Sequence, residues 1–94
     1  MTLREVLIAH FETVRPNLSI YGLSIALEVE LYVANAQPEA QLDKQIAMLT
    51  SHQVALDLAG EDKDLRLCMV EELNAIRVAA LSALHEFNNQ TMKE

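Results

Sequence analysis

LSIYGLSIALEVELYV, residues 18–33, carries two charges in sixteen positions, Glu28 and Glu30, within a chain whose formal net charge is −7. How this stretch folds decides the architecture. It is too short, and too interrupted by its glutamates, to span a bilayer, which takes roughly 20 apolar residues. With a period of two, Leu23, Ile25, Leu27, Val29, Leu31 and Val33 alternate with Ser24, Ala26, Glu28, Glu30 and Tyr32, as in an amphipathic strand. With a period of 3.6, Asn17, Tyr21, Ser24, Glu28, Tyr32 and Asn35 form one polar stripe with spacings of 4, 3, 4, 4 and 3, leaving Glu30 off it.

The helix reading is preferred over a strand pairing across two chains. A strand of this length needs a partner, and no other segment shows sustained alternation. The flanks also punctuate a helix. Arg15-Pro16 breaks what precedes, Asn17 or Ser19 offers an N-cap, and Asn35 followed by Pro38 offers an end.

Outward from this segment, three more helices are expected. The first covers 3–14, opened by the capping-box pattern Thr2-Leu3-Arg4-Glu5, with Leu3, Val6, Leu7, Phe11 and Val14 on one face. The second is 18–35. The third covers 38–59, starting at Pro38, with Leu42, Ile46, Leu49 and Leu56 on one face and Gly60 as a left-handed stop. The fourth covers 64–88, capped by Asp62 or Asp64, with Leu65, Met69, Leu73, Ile76, Ala80, Leu84 and Phe87 in line. Ala79, Ala80, Ser82 and Ala83 would let a neighbouring helix approach closely. A polar tail, 89–94, is expected to fray. Short connections imply antiparallel neighbours, so the expected fold is all-α: one domain, 1–94, an up-down bundle of about four helices completed by dimerisation.

Composition narrows the function classes. The 94 residues are 51% apolar and 22% charged, with two Gly, two Pro and no Trp. An acidic chain with seven scattered basic residues is a poor match for nucleic acid or an anionic membrane surface, both polyanions. One cysteine, Cys68, excludes an internal disulfide framework, and the first residues lack the basic start and apolar core of a secretory signal. The expected compartment is the cytoplasm.

Candidate chemistry is sparse. His10, His52, His85 and Cys68 never share a helix face at i, i+3 or i, i+4, so neither metal nor cofactor is expected. His10 reads as a half-covered ring at the edge of the first helix's apolar face, and Cys68 as a buried inert thiol. Glu71 and Glu72 are neighbours on a helix and diverge, a poor acid-base pair. No catalytic residues are assigned, and an enzyme is not expected.

What stands out is apolar surplus. Ile20, Leu23, Leu27 and Leu31 on the second helix, and Leu67, Val70, Val78 and Leu81 on the fourth, lie off the faces a small bundle would bury. These eight are the candidate interaction residues, and Glu61, Asp62, Asp64, Glu71 and Glu72 form a candidate acidic patch. The expected function is a non-enzymatic protein-binding module (adaptor, regulator or inhibitor) that acts through apolar helix faces as a homodimer. The alternatives are a structural homo-oligomer and an acidic nucleic-acid mimic that blocks a DNA- or RNA-binding protein.

Overall fold

Thr2 fixes where the first helix starts: its hydroxyl accepts from the Glu5 backbone N–H at 3.2 Å while Glu5 Oε1 accepts from the Thr2 N–H at 3.2 Å. The computed structural model describes residues 2–37 and 40–92, with side chains through Gln90. Within them lie α1 (Leu3–Glu12), a 3-10 turn (Arg15–Asn17), α2 (Ile20–Asn35), α3 (Leu42–Leu49), α4 (His52–Ala59) and α5 (Lys63–Met92). The fold is all-α, and among the described residues there is no strand.

The decisive stretch is therefore helical, and Ser19 rather than Asn17 caps it, its hydroxyl accepting from the Gly22 N–H. Asn17 instead closes the 3-10 turn that Pro16 helps to set. The helix expected over 38–59 is interrupted. Its start at Pro38 lies outside the described residues, regular α-helix begins at Leu42, and the chain breaks at Thr50 and Ser51. The cause is local: Ser51 takes up an extended conformation and accepts from the Val54 N–H at 3.3 Å, capping a new helix. That break turns the buried face by a residue, so Ala55 and Ala59 are buried instead of Leu56. Gly60 stops α4 at φ 60° and ψ −128°, a positive φ outside the left-handed helical basin that was expected. Asp62 caps α5, accepting from the Leu65 N–H at 3.0 Å, and the helix runs to Met92, four residues beyond the expected end.

Side-chain neighbours give the topology. His10 meets Glu86 while Val14 lies near Glu71 and Ala75, so α1 runs antiparallel to α5. Ser19 meets Glu72, and Leu42 lies beside Leu84 and Asn88, so α2 runs alongside α5 in the same direction. Thr50 to His52 return to Val70–Arg77, reversing it again. The result is an up-down bundle built on α5, whose 30 residues, about 45 Å at 1.5 Å per residue, account for the 48 Å long axis. The core is Val6, Leu7 and Phe11 of α1, Ile25 and Val29 of α2, Ile46 of α3, and Met69, Leu73 and Ile76 of α5. Ala79, Ala80 and Ala83 of α5 are buried within the stretch that α1 covers.

Candidate interaction surface

α2 is apolar on two opposite faces. At 100° per residue, Gly22, Ile25, Ala26 and Val29 point into the core. Ile20, Leu23, Leu27 and Leu31 point away from it and are 83%, 40%, 54% and 51% exposed. The polar stripe through Tyr21, Ser24, Glu28 and Asn35 does not oppose the core squarely, as in an ordinary surface helix; it runs along one flank of the exposed apolar face. All four α2 residues expected at an interface are thus solvent-facing and share one surface.

Glu30 leaves that surface charge-poor. It is 6% exposed, and Arg15 Nη2 donates to its Oε1 at 2.6 Å, while Nη1 of the same guanidinium donates to Glu12 at 3.0 Å. A buried carboxylate needs such a partner. Glu28 is therefore the one acidic side chain of α2 exposed beside the face.

The four α5 candidates divide. Leu67 is 67% exposed and Val78 is 55% exposed; eleven residues apart, they fall on the same side of the helix. Glu71 and Asn74 stand between them, so they make two apolar spots and not a patch. Val70 and Leu81 are half-buried against the core, which removes them from the candidate surface. Val70 lines one small cleft with Thr50 to His52 of the α3–α4 junction. Met48 of α3, which the sequence did not single out, is exposed instead. Behind Leu31 an open apolar cleft of about 560 Å³ is formed by Glu28, Tyr32, Asn35, Ala36, Ala40 and Leu49, between the end of α2 and α3.

The acidic residues differ in their surroundings. Asp62 caps α5, and Glu72 turns inward to accept from the Ser19 backbone N–H at 2.5 Å, at the positive end of α2. Glu61, Asp64 and Glu71 are exposed.

His10 is half-buried, with Nε2 2.6 Å from Glu86 Oε2; His85 contacts Asn89, and His52 stands at the start of α4. Among the described residues no three His, Cys, Asp or Glu side chains gather as a metal site would require. Cys68 is exposed, contrary to the buried thiol expected: it faces away from the Met69–Leu73–Ile76 side of α5. No described helix is long and apolar enough to cross a membrane. No family model, curated protein or solved structure matches the chain.

Proposed function

We propose that the chain is a non-enzymatic protein-binding module, an adaptor, regulator or inhibitor acting in the cytoplasm, that works as a homodimer through apolar helix surface. The observation that carries this reading is the outward face of α2, where four large aliphatic side chains stand in solvent on a helix whose opposite face already fills the core. Apolar helix faces of this kind are the raw material of helix-mediated recognition, and desolvated aliphatic anchors govern dissociation. The α2 face serves the homodimer, and Leu67 and Val78 on α5 with Met48 on α3 supply the anchors left for another protein, at a distance from α2. The exposed acids, Glu61, Asp64 and Glu71, tune encounter rate more than affinity, since solvent screens them over about 8 Å at physiological salt. No specific observation favours the nucleic-acid mimic, because Asp62 and Glu72 are engaged at helix ends.

The test is capture from the native host's lysate at low and high salt, with wild type, Leu27→Asp and Leu67→Asp. One protein retained by wild type at high salt and lost with either variant is expected. The same captured set from all three overturns the reading. Loss of every partner at high salt, when those partners are basic nucleic-acid-binding proteins, replaces it with the mimic.

A further inference from the structure

Resting on the binding-module reading, we infer that the outward face of α2 is covered by the same face of a second copy, with the two helices antiparallel about Leu27 and each Ile20 seated at the mouth of the other copy's cleft.

The spacing is self-complementary. The exposed apolar positions Ile20, Leu23, Leu27, Leu31 and Ala34 are separated by 3, 4, 4 and 3 residues, a sequence that reads the same in both directions about Leu27. A two-fold axis through Leu27 places Leu23 opposite Leu31 and Ile20 opposite Ala34, the isologous pairing that two-fold dimers require. Two other features agree with that register. Ile20, 83% exposed, is the most protruding side chain of the face and stands at one end of it. The cleft beside Leu31, Asn35 and Ala36 opens at the other end. Both lie toward the same flank of the face, and a two-fold axis perpendicular to the helices preserves that flank, so knob and hole meet.

Area and charge point to the same occupant. A folded monomer of this mass exposes about 5,400 Å², whereas this chain of 10.5 kDa exposes 6202 Å². The surplus, about 800 Å², is spread over an elongated chain of 48 × 26 × 17 Å, and it is as large as the area each partner buries in a standard specific interface, so a second copy could cover it. A protein with net charge −7 repels its own copies. Two copies meet at least cost where charge is sparse: between Ile20 and Ala34 the exposed side of α2 carries one charge, Glu28. It stands on the polar flank of the face, so the two copies' Glu28 side chains lie at the rim beside the axis and not within the apolar strip.

The test is disulfide trapping in the full chain, with Cys68→Ser to remove the exposed native thiol. Across a two-fold axis, L27C meets its own copy within the Cα separation of about 4.4–6.8 Å that a disulfide needs. L23C does not, since its copies lie about 12 Å apart along the helix at 1.5 Å per residue. Under mild oxidation L27C is expected to give a covalent dimer, L23C and L31C alone none, and an equimolar mixture of L23C and L31C a mixed dimer. Self-trapping by L23C or L31C, or absence of trapping by L27C, overturns the register. Sedimentation equilibrium of the unmodified protein at micromolar concentration should return twice the chain mass, and Leu27→Asp half of that with helical circular dichroism retained. A wild-type monomer overturns the second copy as occupant. The binding-module reading fails separately, when wild type and the apolar-face variants capture the same proteins.

Discussion

Arg15 and Glu30 are joined across fifteen residues by a 2.6 Å hydrogen bond in which the guanidinium, at the turn between α1 and α2, reaches a carboxylate held at 6% exposure. The pair ties the turn that follows α1 to the body of α2. Arg15→Ala leaves Glu30 buried without its cation, at a cost of about 1–3 kcal/mol for a lost partner to a buried polar group. Glu12→Ala removes only the exposed arm of the same guanidinium and should cost about 0–1 kcal/mol. Denaturant unfolding of both variants, with Arg15→Ala repeated in a Glu30→Met background, checks this. The Arg15 penalty should largely vanish when the carboxylate is absent.

Gly22 gives a prediction whose sign depends on a second residue. Gly to Ala inside a helix ordinarily gains about 1 kcal/mol. At Gly22 a Cβ would collide with the Glu72 carboxylate and come within 3.2 Å of Leu18 Cδ2. The carboxylate has no slack, because it is accepting from the Ser19 N–H. Gly22→Ala should therefore destabilise the wild type by about 1–2 kcal/mol, the scale of a hydrogen bond to a charged group. In a Glu72→Ala background the same substitution should stabilise. Thermal unfolding of the four proteins in this cycle decides it, and an equal effect in both backgrounds would show that Glu72 is not the obstacle.

These two contacts mark where the sequence stops being readable. Helix positions, the Thr2 and Asp62 caps, and the buried lines Val6–Leu7–Phe11 and Met69–Leu73–Ile76 follow from local chemistry and period, so they were legible. The surplus on α2 was legible for the same reason: too many aliphatics for one face. The break at Ser51 was not, because a serine within a helical pattern either caps or continues, and periodicity alone does not choose between the two. Val70 and Leu81 are half-buried because they stand on the flank of α5 nearer the Met69–Leu73–Ile76 line, whereas Leu67 and Val78 stand opposite it. Cys68 stands in solvent, not buried as expected, because it lies outside the Met69–Leu73–Ile76 line that fills the core.

The Thr50–Ser51 break can be assigned to one residue. Ser51→Ala removes the hydroxyl that accepts from the Val54 N–H and should cost about 1 kcal/mol, the usual value of an N-cap. Thr50→Val removes a hydroxyl that donates to the Ile46 carbonyl at 2.7 Å, but that carbonyl still accepts from the Thr50 N–H at 3.1 Å. Its cost should be well under that of Ser51→Ala. A loss from Thr50→Val well above that from Ser51→Ala would mean that the buried threonine, and not the cap, sets the break.

Glu5 links stability to pH. Hydrogen bonds from the Thr2 backbone N–H, and then from the Thr2 hydroxyl, hold its carboxyl below the usual glutamate range. A carboxyl depressed in the folded state contributes stability that is fully present above its unfolded value and is lost as pH falls through the folded one. Wild-type stability should thus decline in the acid range in part through this capping box. Glu5→Gln should make the acid limb shallower and leave the neutral plateau slightly lower. Parallel limbs for the two proteins would exclude Glu5 from the acid response.

Leu7 and Leu27 are the same residue type with opposite roles, and truncating each separates folding from assembly. Leu7 is 1% exposed in the core, so Leu7→Ala creates a cavity and should cost about 2–5 kcal/mol, independent of protein concentration. Leu27 is 54% exposed in the single chain, where Leu27→Ala alters little, within about 0.5 kcal/mol. When a second copy covers α2, the same truncation removes a contact at the two-fold axis. Its effect then depends on concentration, because dissociation is linked to protomer concentration by mass action. Thermal unfolding over a hundredfold range of protein concentration distinguishes the cases. Wild type should melt higher as concentration rises, Leu7→Ala should shift the whole series down in parallel, and Leu27→Ala should flatten the dependence. A wild-type melting temperature that does not move with concentration would mean that α2 meets no second copy before the chain unfolds.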